Sequence, residues 1–90
     1  MIIKEATAQE KTKAFKIASS LNEWFTPEGL KNIALDFKMN SVIVAVEKSK
    51  VLGFLCYTTY CGKMLLLWMG VQRNTQRKGV GKLLIKWLED

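Results

Sequence analysis

The stretch that decides the fold spans residues 69–83 and reads Met-Gly-Val-Gln-Arg-Asn-Thr-Gln-Arg-Lys-Gly-Val-Gly-Lys-Leu. An apolar, strand-like segment runs into a basic loop, and two glycines, Gly79 and Gly81, then open a helix. A helix start leaves backbone N–H groups without helical partners and bears partial positive charge. Glycines permit positive φ and let a ligand approach the backbone closely. Three cations surround this start: Arg77, Lys78 and Lys82. The stretch therefore predicts a cradle for a phosphate or pyrophosphate group.

Two common phosphate cradles do not fit these residues. The P-loop pattern, G-x-x-x-x-G-K-[ST], would need a glycine at position 76 and a hydroxyl at position 83, where the chain has Gln76 and Leu83. The dinucleotide pattern, G-x-G-x-x-G, would need a third glycine at position 84, where the chain has Leu84.

Hydrophobic periodicity along the chain predicts the element order βααβββα. The predicted strands are Met1–Ala6, Ser41–Glu47, Val51–Tyr60 and Met64–Val71. The first helix begins after a capping box, Thr7 with Glu10, and runs to about Ser20. The second opens at Thr26-Pro27 and ends near Met39, and the third begins at about Gly79.

Each predicted helix has one apolar face. The expected buried residues are Ala14, Ile17, Ala18 and Leu21, then Leu30, Ile33, Ala34 and Phe37, and finally Val80, Leu83, Leu84, Trp87 and Leu88. Trp24, Trp68 and Trp87 are expected to pack in the core or in an interface, with the lining of a substrate groove as the alternative, and Tyr57 and Tyr60 are expected to pack on their strand. Gly53 inside its strand indicates a bulge or a close backbone approach. Because Met64–Val71 is apolar on both faces, it is expected at the centre of a covered sheet.

Composition limits the function classes. The chain has 90 residues, a net charge of +6, no histidine and two cysteines, which is enough for one small domain. Without histidine, a catalytic triad or a histidine-ligated metal is excluded, and Cys56 and Cys61 alone cannot form a zinc site. Neither a membrane-length apolar run nor a signal peptide is evident, so the cytosol is the expected compartment.

The positive charge is concentrated late in the chain. Residues 61–90 have six cations against two acids, a net of +4, while residues 1–60 have eight against six, a net of +2. Such a local excess indicates an anionic partner, although a solvated basic face would look the same. Nucleic acid is not favoured as that partner, because the aromatic residues lie in apolar runs and are not interleaved with the cations.

The glycine stretch also fits the pattern Q/R-x-x-G-x-G/A, as Gln76-x-x-Gly79-x-Gly81. At this point the sequence resembles the GNAT N-acyltransferase superfamily. The opening Met-Ile-Ile-Lys-Glu-Ala-Thr and the segment Val51–Leu55 are similar to the first and third strands of that family. The resemblance implies an α+β (α/β) fold over residues 1–90: a partial GNAT domain with a mostly antiparallel sheet and helices packed on it.

The resemblance also implies a cosubstrate and a reaction. Backbone groups of Met69, Gly70 and Val71 would pair with the pantetheine arm of acetyl-CoA. The pyrophosphate would lie on the motif, at Gln76, Arg77, Lys78, Gly79, Val80, Gly81 and Lys82. The expected reaction is direct transfer of an acetyl group to a primary amine, without a metal.

Some family features have no counterpart in these residues. Met64–Val71 contains no acid, so no general base is assigned. The family fold continues with a fifth strand and a further helix, without which Met64–Val71 would be an apolar edge. We therefore expect a homodimer formed through this strand. The alternatives are a CoA-binding half-domain without catalysis and, less favoured, a small basic nucleic-acid-binding protein.

Overall fold

The computed structural model describes residues 1–21 and 23–89, apart from the side chains of residues 76–78. Its four strands are β1 (Ile2–Glu5), β2 (Ser41–Glu47), β3 (Lys50–Tyr60) and β4 (Lys63–Val71). Its helices are α1 (Ala8–Ser20), α2 (Pro27–Met39) and α3 (Val80–Glu89), and a 3-10 helix covers Arg73–Lys78. The predicted order βααβββα is confirmed, and so is the α+β fold class.

Local capping begins the first two helices where the sequence predicts. The Glu10 N–H donates to the Thr7 hydroxyl at 3.2 Å, and the Thr7 N–H donates to the Glu10 carboxylate at 2.9 Å. The Gly29 N–H donates to the Thr26 hydroxyl at 3.0 Å, and Pro27 occupies the first turn of α2. Both starts follow from chemistry within three residues of the cap.

The sheet is antiparallel, with strand order β1-β2-β3-β4. Its register shifts twice. Ala45 pairs with Gly53 and Val46 with Val51, so β3 has one extra residue there. Cys56 pairs with Trp68 and Tyr57 with Leu66, which leaves Leu67 as an extra residue in β4. A bulge of this kind bends its strand and takes one residue out of the ladder.

The helices cover opposite faces of the sheet. One core cluster joins α1 and α2 to the sheet and includes Ala14, Ile17, Ala18, Leu21, Ile33, Phe37, Val44 and Phe54. The other joins α3 to the far face and includes Ile43, Leu52, Leu55, Tyr57, Val80 and Leu84. Most predicted helix faces are buried as expected. Leu83, however, is 41% exposed, because the contact of α3 with the sheet runs through its neighbours Val80 and Leu84.

Strand β4 lies at the edge of the sheet, not at its centre. Its first half is largely uncovered, with Met64, Leu65 and Leu66 between 45% and 48% exposed. The expectation of a covered central strand is therefore wrong for this half. The reason is pairing, since β3 is the only strand of the described chain that flanks β4. The sequence-based expectation of an apolar edge is correct.

Aromatic packing agrees only in part with expectation. Trp87 contacts Tyr57 with ring centroids 6.1 Å apart, and Trp68 contacts Phe25 at the same separation. Trp24 and Tyr60, by contrast, are 73% and 68% exposed. Neither side chain packs in the core, because each residue lies in or at the end of a connection between elements.

Candidate cofactor groove

The basic loop after β4 forms a tight 3-10 turn. The Gln72 N–H donates to the Leu52 carbonyl at 2.9 Å, which keeps the end of β4 on β3. The backbone N–H and the hydroxyl of Thr75 both donate to the Gln72 carbonyl, at 3.0 and 3.1 Å. Thr75 is 7% exposed and is the single buried polar residue of the described chain. The loop is therefore held by its own hydrogen bonds.

Gly79 turns the chain from this loop into α3. Its φ of 74° and ψ of 21° place it in the left-handed region, where glycine is favoured. The Leu83 N–H donates to the Gly79 carbonyl at 3.1 Å as the first bond of α3. The N–H groups of Val80, Gly81 and Lys82 precede that bond, so the helix supplies no carbonyl for them. These three N–H groups belong to the stretch that the sequence predicts as the phosphate cradle.

Two other glycines allow close packing on the sheet, Gly53 beneath α3 and Gly70 beneath the Phe54 ring. A Cβ at Gly53 would lie 2.9 Å from Val80 Cγ1 and 3.0 Å from the Gly70 carbonyl oxygen. A Cβ at Gly70 would lie 2.6 Å from the Phe54 ring. All three distances are below ordinary van der Waals contact. The prediction for Gly53 is thus confirmed, since a register shift and a close approach both occur there.

The end of β4 and the start of α3 form one side of a groove of about 530 Å³. Six predicted site residues line it: Met69, Gly70, Val71, Gly79, Gly81 and Lys82. Val80, the seventh, is not among the lining residues, and its side chain is fully buried against β3. The side chains of Gln76, Arg77 and Lys78 lie outside the described residues.

The strand ladder orients the backbone of β4. The Gln72–Leu52 pair is hydrogen-bonded, so the alternation of an antiparallel ladder makes the pair formed by Gly70 the next bonded one. Met69 then directs its N–H and C=O groups toward the open edge. Among the three residues predicted for the pantetheine arm, Gly70 therefore uses its backbone within the sheet.

The sequence did not assign the opposite wall of the groove, beyond leaving open that a tryptophan lines a substrate groove. Leu21, Trp24 and Phe25 form it from the connection between α1 and α2. No motif or spacing in the sequence marks these residues, which are brought to β4 only by the packing of α1 on the sheet. The exposed Trp24 is explained by this position, because its ring lines the groove and does not enter the core.

Arg73 links the two walls. Its guanidinium donates to the Glu23 carboxylate and, at 3.2 Å, to the Ser20 carbonyl. The hydrogen bond between Arg73 and Glu23 lowers the pKa of Glu23 and raises the pKa of Arg73. The connection that bears Trp24 is thereby joined to the 3-10 helix that leads into the cradle.

A second polar contact joins α2 to β4. The Trp68 indole N–H donates to the Asp36 carboxylate at 2.7 Å, and the Asn40 amide contacts the other carboxylate oxygen at 3.5 Å. Asp36 also contributes to the raised pKa of the Cys56 thiol, about 11, although burial is the larger cause. Both cysteines are free thiols, Cys56 buried and Cys61 exposed.

Two general features complete the description. The described residues contain no group of three or more Cys, Asp or Glu side chains placed to hold a metal ion. Of the helices that the structure describes, none has the length and apolarity needed to cross a bilayer.

Comparison with known proteins gives a consistent family. The model of the acetyltransferase (GNAT) family matches residues 5–90. No curated protein matches the chain significantly in sequence.

Several solved structures share the fold. A GNAT-family protein from Desulfovibrio desulfuricans superposes with a TM-score of 0.83 at 19% identity, over 96% of this chain and 62% of its own. The ribosomal-protein-S18-alanine N-acetyltransferase from Escherichia coli gives 0.80 at 18%, over 97% and 56%. A GNAT acetyltransferase from Brucella melitensis, in complex with acetyl-CoA, gives 0.76 at 19%, over 96% and 64%. The chain thus spans between about half and two thirds of the length of these proteins.

Proposed function

Because this chain belongs to the acetyltransferase (GNAT) family, we propose that it binds acetyl-CoA in the groove beside β4 and transfers the acetyl group to a primary amine. One observation carries the proposal: the six motif and strand residues Met69, Gly70, Val71, Gly79, Gly81 and Lys82 line a single groove. The volume of about 530 Å³ is typical of a small-molecule site.

In this proposal the start of α3 holds the pyrophosphate. The N–H groups of Val80, Gly81 and Lys82 point out of the first turn, and the helix dipole favours an anion there. Gly81 leaves space for close approach, because even an added Cβ would have no neighbour nearer than Met69 Cε at 3.8 Å. The ammonium group of Lys82 adds a full positive charge at the same wall.

The edge of β4 orients the pantetheine arm. Its amides would extend the sheet by pairing with the outward backbone groups of Met69, while Trp24 and Phe25 cover the arm from the other wall. Further along the strand, the bulge takes Leu67 out of the ladder. We assign its backbone N–H as a donor to the thioester carbonyl, where negative charge develops during acyl transfer.

Acetyl-CoA supplies the activated acyl group. The amine nitrogen forms a bond to the carbonyl carbon, the carbon–sulfur bond breaks, and the amine loses a proton as the thiolate gains one. The groove residues contribute orientation and backbone donors. The nine residues that line the groove include no acid and no tyrosine, so none of them is an evident general base or general acid. That observation favours the second candidate, a CoA-binding module without catalysis.

The exposed half of β4 supports a homodimer. Met64, Leu65 and Leu66 form an apolar surface beside an open strand edge, which tends to pair with another chain. Leu65→Lys should shift a dimer to monomer in light scattering at micromolar concentration. A monomer in the unmodified protein would contradict the assignment. The cytosol remains our proposed compartment, since both thiols are free.

Calorimetric titration of the full chain with acetyl-CoA tests the cofactor site. Gly81→Leu should lower the affinity about tenfold or more, because the added side chain fills the groove at the anion position. Gly62→Leu is the matched control: it adds the same side chain in the β3–β4 turn, where the left-handed φ of 75° lowers stability but the groove is not touched. Equal affinity in the Gly81 variant would remove the site.

A second assay separates the two candidates. Free thiol is measured after mixing the protein, acetyl-CoA and a panel of primary amines. Thiol release that depends on the amine supports the transferase. Binding of acetyl-CoA without release for any amine supports the module without catalysis.

A further inference from the structure

A second cavity of about 580 Å³ lies on the α1 side of the sheet. Four cations from three parts of the chain line it: Lys13 and Lys16 from α1, Lys50 from the start of β3, and Arg73 from the 3-10 helix. The cavity is separate from the cofactor groove and shares no lining residue with it.

Charge is poorly balanced in this cavity. None of its lining residues is acidic. Arg73 pairs with Glu23, which lies outside the lining, so the three lysines of the cavity have no acidic residue beside them in its lining. Cations gathered around one cavity repel each other unless an anion enters between them.

The remaining lining suits a ligand with several polar groups. Ser49, Gln72 and Asn74 offer neutral hydrogen-bond donors around the cations. Ile17 and Val51, each 4% exposed, form an apolar floor. The size is in the range of small-molecule sites and well above that of a single inorganic anion.

The β2–β3 turn at the rim of the cavity has an unfavourable backbone. Lys48 and Ser49 have φ of 50° and 66°, a conformation that turns of this kind normally give to Asn or Gly. Left-handed conformation is unfavourable for any residue with a Cβ, because the Cβ lies too close to the carbonyl oxygen. The chain thus keeps a hydroxyl at the rim of the cavity where glycine would be more stable.

We propose that this cavity is a second anion-binding site, separate from the cofactor groove, which binds a small ligand bearing two or more phosphate groups. A lysine ammonium group binds phosphate as a point charge. Because the lysines of the cavity lie on separate elements, a ligand that contacts all of them needs more than one anionic group. Because Ser20 and Gln72 of this cavity adjoin Leu21 and Val71 of the groove, the test must separate this ligand from CoA itself.

Tripolyphosphate is the test ligand, titrated into the full chain by calorimetry with and without saturating CoA. We expect one site per chain whose affinity is the same in both conditions. The double variant Lys13→Gln/Lys16→Gln should weaken binding about tenfold or more, through loss of charge-assisted contacts. The matched control, Lys31→Gln/Lys38→Gln, removes two exposed charges from α2 and should change affinity less than about threefold.

A second pair of variants does not depend on charge. Ser49→Gly should raise the unfolding midpoint and weaken tripolyphosphate binding. Cys61→Gly relieves the same conformation in the β3–β4 turn, where φ is 52°, and should raise the midpoint without changing binding.

Four results would overturn the proposal: no binding of tripolyphosphate, equal losses in the two lysine pairs, competition by CoA, or tighter binding of a single-stranded oligonucleotide through the same lysines. Titration of CoA alone reports on the proposed function separately, so failure of one does not decide the other.

Discussion

The contact between Gly53 and Val80 gives a quantitative prediction about how the cradle is held. In Gly53→Ala, the new methyl group would lie 2.9 Å from Val80 Cγ1 and 3.0 Å from the Gly70 carbonyl oxygen. Overpacking of this kind costs about 1–3 kcal/mol. Since the carbonyl belongs to the paired β4 strand, we expect the start of α3 to move outward instead.

Val80→Ala is the complementary change. It removes two fully buried methyl groups, worth about 1.6 kcal/mol in transfer free energy, and with the cavity term the cost is about 2–3 kcal/mol. In the double variant, the methyl group of residue 53 occupies part of the space that Val80 leaves. The double variant should therefore be more stable than the sum of the single effects by about 1–2 kcal/mol.

Urea unfolding at 25 °C, followed by tryptophan fluorescence, measures the cycle. For a chain of this size, 1 kcal/mol corresponds to about 4–8 °C in the unfolding midpoint, so thermal scans provide a check. Acetyl-CoA affinity should fall in Gly53→Ala and recover in part in the double variant, although neither side chain touches the groove. Additivity within about 0.5 kcal/mol would refute the reasoning. Gly62→Ala paired with Val80→Ala is the control cycle and should be additive.

The remaining predictions concern the caps, the thiols and the indole contact. The backbone hydrogen bond from Thr7 lowers the pKa of Glu10 below its ordinary value of 4.5. The Glu10 carboxylate therefore stabilises the fold above that pH, and this stabilisation is lost as the pH falls through the folded pKa. Acid titration of stability should show this slope in the wild type and not in Glu10→Gln, which keeps the hydrogen bond. Thr7→Ala should cost about 1 kcal/mol in urea unfolding at pH 7. At pH 8, iodoacetamide should alkylate the exposed Cys61 and leave Cys56 unmodified until the protein unfolds, because burial raises the pKa of Cys56 to about 11. Mass spectrometry of the labelled peptides measures this, and labelling of Cys56 in the folded protein would contradict it. Trp68→Phe should cost about 1–3 kcal/mol, because a half-buried carboxylate of α2 loses its donor at 2.7 Å; an unchanged unfolding midpoint would contradict this.

Elements that depend on short-range chemistry could be predicted from the sequence. The capping box at Thr7 and Glu10 and the Thr26-Pro27 start need only neighbouring residues, and the structure has both. The helix start at Gly79 could also be predicted, because the left-handed conformation of this glycine depends on residues adjacent to it in the sequence.

Features that depend on tertiary packing could not be predicted. Hydropathy alone placed β4 at the centre of a covered sheet, and only the family resemblance indicated an apolar edge, because the position of a strand depends on which strands pair with it. The wall formed by Trp24 has no signal in spacing, because α1 brings it to the groove from a distant part of the chain. Counting charge along the chain pointed to the last third, whereas the fold brings Lys13 and Lys50 to one cavity.

The strand order has a kinetic consequence. Strands β2, β3 and β4 follow one another in the chain and pair as neighbours through short turns, so their contacts close small loops. Only the pairing of β1 with β2 must wait for a loop that contains both α1 and α2. We expect the folding nucleus in the β2–β4 meander, with φ-values above about 0.5 for substitutions at Phe54 or Leu55 and below about 0.3 for substitutions at Ile3. The groove would then gain its α3 side early and its Trp24 wall last, and a high φ-value in β1 would reverse that order.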